Sequence, residues 1–339
     1  MRPMRKPRWP IALAVAFAIV AAGFTYGWET QSGYYAFLPD PAHPLAKVVH
    51  AQGGKAPAKD TGFYFVDVNL LHANLIQKFW AEHLVDGASL VPDKAILAPG
   101  QSNQQRVHED LHAMTTSQET AKVVAERALG KKVPILRQGA LLLGIVSGDP
   151  AAKAGLQPGT IVTSVNGQPV HSAQDLIDDM HPVKPGQSVR LTLSKGDPVT
   201  VRTIASPKPV HAIIGVSVGD AVRIGKLPVP VKIDTGDIGG PSAGLGFALE
   251  IYDSLSGRQL LHGHRIAATG ELDLTGGVHE IGGVQQKTIG AIDAGADTFL
   301  VPKGDNLRDA TAAAKGRIHV IGVTSFAQAL QVIQGLPPR

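Results

Sequence analysis

The sequence of 339 residues lacks cysteine, and this absence removes two kinds of chemistry from consideration. Without a thiol the chain can form no disulfide framework and can use no thiolate nucleophile. A strong excess of charge of one sign is also missing, since the formal net charge is only +4. Much of this small excess comes from residues near the start of the chain: Arg2, Arg5, Lys6 and Arg8. The sequence therefore predicts no nucleic-acid partner.

Three further features are missing: an internal repeat, a low-complexity tract and a phosphate-binding G-x-x-x-x-G-K-[ST] loop. Without that loop the sequence gives no sign of an ATPase module. What the chain does have is 44% apolar residues, which is enough to form real hydrophobic cores. Its length suits two or three domains.

One long apolar run lies at residues 9–28, which are twenty residues without a charge. A helix of this length can span a bilayer, and Trp9, Tyr26 and Trp28 would lie at the two membrane interfaces. The basic residues before the run predict a single-pass protein with its N-terminus in the cytoplasm and the rest outside. A cleaved signal peptide is the alternative. No small-x-small site followed by a clear mature start is evident, so we predict a retained transmembrane helix.

The region after this run, residues 29–132, begins with a connection rich in glycine, proline and alanine. Residues 63–71 alternate in the way that is typical of a strand, and residues 73–84 have the apolar spacing of a helix. A long polar helix is predicted over residues 104–129.

That polar helix contains His108-Glu109-Asp110-Leu111-His112, which fits the zinc-binding pattern H-E-x-x-H. In this pattern two histidines one turn apart bind the metal, and the glutamate is the general base. The charged Asp110 inside the motif and the polar residues around it favour an exposed helix instead. No third ligand is obvious from the spacing. We therefore predict no metal site and no cofactor.

The pattern changes from about residue 133. The informative residues are Gly148-Asp149-Pro150-Ala151-Ala152, Ala154-Gly155-Leu156, Pro158-Gly159 and Val165-Asn166-Gly167-Gln168-Pro169-Val170. Together they resemble a bacterial PDZ domain over residues 133–206, and Asn-Gly is the strongest short-range signal for a hairpin. A helix at residues 173–180 and a strand at residues 188–194 complete the prediction.

The resemblance implies a peptide as partner, because PDZ domains generally bind an extended peptide as an added strand. By position, the candidate for the loop that binds the peptide carboxylate is Arg137-Gln138-Gly139-Ala140. The alternative is that this domain only positions or covers its neighbour.

Strands and helices alternate in the last segment, residues 207–339, which predicts a compact α/β domain. The predicted strands are 210–218, 231–235, 265–270, 298–302 and 319–323. The predicted helices are 242–256, 284–294, 306–314 and 325–334.

Two residues in this segment form a candidate nucleophile and base. Ser242 lies between small residues at a helix start, where free backbone N–H groups suit a developing oxyanion. Lys287 could take the serine proton if an apolar pocket lowered its pKa toward about 7–8. Gly240 and Pro241 are the predicted oxyanion supports, and Thr269 is a candidate hydroxyl that orients the lysine. Alone, Ser242 would be a helix N-cap and Lys287 a solvated helix lysine.

The segments Gly-Pro-Ser-Ala-Gly at 240–244, Ala-Thr-Gly-Glu-Leu at 268–272 and Ile-Gly-Gly-Val-Gln-Gln-Lys at 281–287 resemble the proteolytic domain of Lon proteases. The resemblance covers roughly residues 210–335. It implies that Ser242 is the nucleophile and Lys287 the catalytic lysine of a serine endopeptidase. The order of anchor, PDZ domain and Lon-type domain resembles the membrane-anchored PDZ–Lon proteins of bacteria. It implies a bacterial cell membrane location, cleavage of extended or unfolded protein segments without ATP, and a homo-oligomeric ring by analogy.

Two positions depart from the Lon pattern. Lon proteases commonly carry an aspartate three residues before the serine, where this chain has Gly239, with Asp237 nearby. The family's threonine or alanine four residues after the serine is Gly246 here. These departures concern the turn around the nucleophile and leave the serine–lysine pair in place.

Two other functions compete with a peptidase. Gly240 to Gly244 also fit the G-x-S-x-G elbow of α/β-hydrolases, whose histidine would be His319. A membrane-tethered PDZ adaptor with an inactive protease domain is the non-catalytic alternative. The predicted fold class is α/β with a mainly β PDZ domain and an N-terminal transmembrane helix. The predicted segments are 1–28, 29–132, 133–206 and 207–339.

Overall fold

A computed structural model describes residues 9–97, 103–206 and 210–339 of the chain. The chain forms two units. One unit combines Met1–Lys132 with Pro228–Arg339, and the other is Val133–Leu227. The four basic residues of the predicted cytoplasmic tail lie outside the described residues. The region 29–132 therefore shares one unit with the segment that carries Ser242, although the sequence treats the two as separate.

The strands are numbered in chain order. They are β1 Gln31–Pro39, β2 His43–Pro44, β3 Val49–Ala51, β4 Gly62–Phe65, β5 Val68–Asn74, β6 Ser89–Pro92, β7 Ile135–Ile145, β8 Ile161–Val165, β9 Gln168–Pro169, β10 Ser188–Leu193, β11 Val199–Arg202, β12 Ile204–Ala205, β13 Ala212–Ile213, β14 Val216–Ile224, β15 Val231–Ile233, β16 Arg265–Ala268, β17 Glu271–Leu272, β18 Val278–His279, β19 Thr298–Pro302 and β20 His319–Val323. The helices are α1 Trp9–Glu29, α2 Leu75–Leu84, α3 Asp93–Ile96, α4 Asn103–Ala128, α5 Pro150–Lys153, α6 Ala173–Met180, α7 Gly244–Ser256, α8 Val284–Asp293, α9 Asp305–Ala314 and α10 Phe326–Gln334.

A five-stranded sheet in the order β2-β4-β16-β19-β20 forms the centre of the first unit. Strands β4, β16, β19 and β20 run parallel, and β2 joins the edge antiparallel. Strands β4 and β19 are buried at every residue, as is typical of parallel strands covered on both faces. The predicted strand at 63–71 is split in the structure: its first part is β4, and its second part, β5, pairs with β1 in another sheet.

Helix α7 is the most buried helix of this unit, and α4 packs along it. Met114, Ala121, Val124 and Ala125 of α4 belong to the same core cluster as Leu245, Phe247 and Leu249 of α7. The prediction of an exposed polar helix is therefore wrong for the second half of α4. Residues 120–126 of this helix are buried on all sides, the polar ones included.

The second unit contains a sheet in the order β11-β10-β8-β7-β14, with β9 paired to β8. Its core includes Leu142, Val162, Leu176 and Leu191. Asn166 and Gly167 both have positive φ, at 50° and 86°, and form the turn between β8 and β9. This is the hairpin that the Asn-Gly pair predicts.

The predicted strand at 210–218 does not begin the α/β domain. Its first part, β13, pairs with β12, and the following β14 pairs with β7 in the sheet of the second unit. The apolar pattern of this stretch fits either sheet, so the sequence alone does not determine its partner.

In the described part of the chain, no helix has both the length and the apolar character that crossing a bilayer requires.

Candidate active site

Ser242 lies in the turn that leads into α7, directly before its cap residue Ala243. Gly240 has a φ of +90°, a conformation that residues with a Cβ rarely adopt. This glycine lets the chain reverse sharply, so that the half-buried serine faces a cleft. The sequence places the serine at a helix start, and the structure agrees.

Helix α4 holds this turn from outside through two hydrogen bonds. The N–H of Gly240 donates to the carbonyl oxygen of Asp110 at 2.7 Å. The hydroxyl of Ser117 donates to the carbonyl oxygen of Pro241 at 2.8 Å. The backbone on either side of the nucleophile is therefore fixed by a helix that precedes it far back in the sequence. Sequence analysis missed both contacts, since nothing local to Asp110 or Ser117 marks them.

The close approach of α4 explains the first departure from the Lon pattern. A Cβ added to Gly239 would lie 2.8 Å from the Cβ of Asp110 and 3.1 Å from its backbone carbonyl carbon. Such distances are too short for carbon atoms, so an aspartate does not fit here. The second departure, Gly246, is also tightly packed, since its Cβ would meet Leu45 Cδ1 at 3.1 Å.

Lys287 lies in the first turn of α8, and its side chain is only 3% exposed. Its Nζ atom lies 2.8 Å from the Oγ atom of Ser242 and donates a hydrogen bond to it. Gly283 begins the helix with a φ of +68°. Two residues from different motifs are thus brought into direct contact, as the sequence predicts for a nucleophile and its base.

Burial lowers the pKa of Lys287 from about 10.5 to about 8, because the ammonium form loses its hydration. The negative charge of Asp67 acts in the opposite direction and raises this pKa. Asp67 lies between β4 and β5, in the region that the sequence assigns to a separate segment. Sequence analysis gave it no role.

Thr269 is fully buried, and its hydroxyl donates to the carbonyl oxygen of Ser242 at 3.1 Å. The N–H of Gly270 donates to the same oxygen at 2.8 Å. Thr269 therefore holds the backbone of the nucleophile, whereas the sequence predicts that it orients the lysine.

The predicted oxyanion supports do not serve as donors. Pro241 has no backbone N–H, and the N–H of Gly240 is already bonded to Asp110. Within residues 9–97, 103–206 and 210–339, the N–H groups of Ser242 and Ala243 donate to no protein acceptor. These two donors, at the positive end of α7, suit a developing oxyanion better.

A cleft of about 460 Å³ opens in front of Ser242 and Lys287. Apolar side chains line part of it: Phe37, Val68, Leu70, Val107, Leu111 and Ile281. Carboxylates line another part: Asp110, Asp237, Glu271 and Glu280. His319, the histidine that an esterase triad would require, is not among the described residues that line the cleft. The cleft therefore has both apolar and polar walls.

The two histidines and the glutamate of the H-E-x-x-H pattern do not line this cleft. His108, Glu109 and His112 are exposed. Asp110 is paired with Arg106, and burial raises the pKa of its carboxyl. Among the described residues, neither histidine lies in a group of potential metal ligands.

In the second unit, a groove of about 390 Å³ runs between α6 and residues 211–218. Its apolar lining includes Leu176, Ile177, Met180, Ile213 and Val216. The loop predicted to bind a carboxylate, Arg137–Ala140, is instead part of β7 and does not line this groove. The prediction was wrong because the strand that borders the groove comes at the end of the unit, after β11.

Two family models match the chain. Residues 225–334 match the Lon protease (S16) C-terminal proteolytic domain, and residues 116–205 match the PDZ domain.

Similar curated proteins include Lon protease 2 of Herpetosiphon aurantiacus, 39% identical over 92 residues, which are 26% of this chain and 11% of that protein. Another is a Lon protease of Mesomycoplasma hyopneumoniae, 41% identical over 91 residues, which are 26% of this chain and 10% of that protein. The chain thus spans about a tenth of the length of these relatives. Among solved structures, the PDZ domain of an SdrC-like protein from Listeria monocytogenes is 26% identical, with a TM-score of 0.22, and covers 24% of this chain and 87% of that domain.

Proposed function

We propose that this chain, which contains a Lon-type C-terminal proteolytic domain together with a PDZ domain, is a serine endopeptidase that uses a Ser242–Lys287 dyad. The observation that carries the proposal is the 2.8 Å contact between Nζ of a buried lysine and Oγ of the serine. A serine hydroxyl is a weak nucleophile until a base takes its proton. A lysine can be that base only when it is neutral.

Burial of Lys287 makes the neutral form accessible. With a pKa of about 8, about a tenth of the lysine is neutral at pH 7. Once Nζ has lost a proton, its lone pair accepts the Oγ hydrogen over the same short distance. Oγ then attacks the carbonyl carbon of a peptide bond, and Nζ becomes an ammonium.

The ammonium next donates its proton to the leaving amine nitrogen, and the C–N bond breaks. An acyl ester of Ser242 remains. A water molecule enters, gives a proton to the neutral lysine and attacks the ester carbonyl carbon. The lysine ammonium then returns this proton to Oγ as the ester C–O bond breaks, which releases the acid product and restores the hydroxyl. In both halves the carbonyl oxygen carries negative charge, which the N–H groups of Ser242 and Ala243 would stabilise.

The substrates are extended or unfolded protein segments, cleaved without ATP. The sequence has no G-x-x-x-x-G-K-[ST] loop with which to couple nucleotide hydrolysis to unfolding. The groove between α6 and residues 211–218 would capture such a segment as an added strand.

Attachment to a bacterial cell membrane through residues 9–28, with the catalytic part outside the cytoplasm, remains a prediction from the sequence. Large apolar side chains of α1 support it because they are exposed, for example Leu13 (59%), Phe17 (76%) and Ile19 (68%). Extraction of cell membranes with alkaline carbonate tests the prediction. An anchored chain stays in the pellet, whereas release of the whole chain into the supernatant would contradict an anchor.

The main experiment incubates the full chain with unfolded casein, without nucleotide, from pH 6 to pH 10. We expect cleavage by the wild type and none by Ser242→Ala or Lys287→Ala. Ser188→Ala and Lys303→Ala are the matched controls, since both residues are exposed and neither lines the cleft. They should keep full activity.

An adaptor predicts a different result. Folded wild type would then bind peptides through the groove of the second unit but leave casein intact under all conditions. An esterase that used His319 would lose activity in His319→Ala and keep it in Lys287→Ala.

A further inference from the structure

Two aspartates lie at one end of the β1–β5 ladder. Pro39 of β1 pairs with Val68 of β5. Asp40 directly follows the first of these residues and Asp67 directly precedes the second, so the two carboxylates are close together. His43 lies between them, with its Nε2 atom 3.0 Å from Asp40 Oδ2 and 3.5 Å from Asp67 Oδ1. We call Asp40, His43 and Asp67 the acid–histidine cluster.

This cluster packs against the face of α8 that carries Lys287. Gly283, Lys287 and Gly290 are spaced at i, i+4 and i+7 and so share one side of the helix. A Cβ at Gly283 would meet Val68 Cγ1 at 2.9 Å, and a Cβ at Gly290 would overlap the carbonyl oxygen of Asp40. The N–H of Ala42 also donates to the carbonyl oxygen of Gly290 at 3.1 Å.

Both glycines are therefore needed for the chain around the acid–histidine cluster to approach α8 closely. Lys287 lies between them on the same side of the helix. Its Nζ atom contacts Ser242 Oγ, while the helix positions on either side of it pack against Val68 and Asp40.

The carboxylate of Asp67 is close enough to Lys287 for its charge to raise the pKa of the lysine. Its Oδ1 atom is buried and has no hydrogen-bond partner among the described residues. Burial raises the pKa of Asp67, and the nearby Asp40 raises it further, whereas His43 and Lys287 lower it. Four other carboxylates line the cleft that contains Lys287: Asp110, Asp237, Glu271 and Glu280.

We propose that Asp67 is a positioning residue of the dyad: its carboxylate stabilises the ammonium form of Lys287, and so sets the pH at which the lysine becomes a base. This inference rests on the function proposed above. His43 lies beside the carboxylate and lowers the pKa of Asp67.

The acid limb of kcat/KM against pH is the direct readout, since it reports the base of the free enzyme. Asp67→Asn keeps the shape of the side chain and removes its charge. The ammonium form of Lys287 then loses its partner, so the limb should move to lower pH by about half a unit. Activity at pH 7, relative to the variant's own plateau, would rise roughly threefold.

Two variants control this experiment. Asp67→Glu keeps a carboxylate and should return the limb toward the wild-type position. Asp293→Asn removes a charge from the exposed side of α8 and should leave the limb unchanged. A limb that stays fixed in Asp67→Asn, or moves to higher pH, would overturn the proposal. If Asp67→Asn does not fold, Asp67→Ser makes the same test with a smaller side chain.

A second readout does not depend on activity. Lysine labelled with ¹³C at Cε can be titrated by NMR in the full chain, with the Lys287 signal assigned from its absence in Lys287→Arg. The midpoint should fall in Asp67→Asn. If the wild type is inactive but the midpoint falls in Asp67→Asn, the proposed peptidase activity is wrong and the effect of Asp67 on the pKa of Lys287 is retained. If the wild type is active but the midpoint does not fall, only the effect of Asp67 is wrong.

Discussion

Gly240 and Asp110 are joined through their main chains, because the N–H of Gly240 donates to the carbonyl oxygen of Asp110 at 2.7 Å. This contact ties the turn before the nucleophile to a helix from the first third of the chain. The carbonyl oxygen of the next residue, Pro241, is bound by Ser117 of the same helix. Helix α4 is thus part of the machinery that positions Ser242, although it contributes no reacting atom.

Ser117→Ala should therefore lower kcat clearly while lowering the free energy of unfolding only slightly. The lost hydrogen bond costs about 1 kcal/mol in stability. The turn that carries Ser242 is then held less firmly, and we expect the misplaced serine to lower kcat roughly tenfold. Thr115→Ala is the matched control. Its hydroxyl bonds to Leu111 of the same helix on the exposed side. Casein cleavage and urea unfolding give both quantities. Equal rates in the two variants would argue against this role of α4.

Gly239→Ala tests the close approach of α4 to the nucleophile turn. The added Cβ would lie 2.8 Å from Asp110 Cβ, so one backbone has to move, at a cost of about 1–3 kcal/mol. Gly282→Ala is the control, because a Cβ there meets nothing within 4 Å. Thermal unfolding of the two variants should differ by several degrees. Gly239→Asp should be at least as unstable as Gly239→Ala, although it restores the residue common in Lon proteases.

Chelation should leave the peptidase unchanged. His108 and His112 are exposed on α4 and line no part of the cleft. The double variant His108→Ala/His112→Ala should cleave casein at the wild-type rate, with and without EDTA. A loss of activity that added zinc restores would show that the H-E-x-x-H pattern has a function after all.

The groove of the second unit should bind peptide through its apolar wall. Ile177→Ala removes buried contact area of an extended ligand, so affinity for a peptide with apolar side chains should fall roughly threefold to tenfold. Gln174→Ala, on the same helix but outside the groove, is the control. Fluorescence anisotropy with the full chain measures both. Unchanged binding in Ile177→Ala would favour a supporting role for this unit.

The sequence was sufficient to predict that Ser242 and Lys287 lie together and which elements carry them. Three ordered motifs identify Ser242 and Lys287, and their predicted helices differ from α7 and α8 by one or two residues at the ends. The signals are local, because a small-residue turn and a helix of apolar spacing can be recognised without knowing what packs against them.

The supporting residues could not be predicted in the same way. Asp67, Asp110 and Ser117 act on the site through contacts between segments distant in sequence. Strand β4 pairs with β16 about two hundred residues later. The residue pattern of either strand does not predict which strand it pairs with. Thr269 was recognised as part of the site, but its hydrogen bond to the carbonyl oxygen of Ser242 was not predicted, since its sequence position does not reveal where its hydroxyl points.

Lys287→Met should make the protein inactive and yet more stable at neutral pH. The pKa of Lys287 is about 8 in the folded chain and 10.5 in the reference state. Below pH 8 the lysine is charged in both states, so its burial costs stability in full. Between pH 8 and pH 10.5 the folded lysine is neutral while the unfolded lysine still carries its proton. The unfolded chain therefore loses a proton as the pH rises through this range, and the stability cost of burial disappears. A buried methionine carries no such cost at any pH.

The stability advantage of Lys287→Met is therefore about 3 kcal/mol at pH 7 and should shrink toward zero by pH 10.5. Urea unfolding at a series of pH values measures it, and Lys303→Met, at an exposed position, provides the baseline. An advantage that does not change with pH would mean that the lysine is not strained by burial. In that case its neutral form would be too rare to act as the base, and the dyad would need another source of activation. A loss of advantage in step with the rise of casein cleavage would show that the same desolvation destabilises the fold and supplies the base.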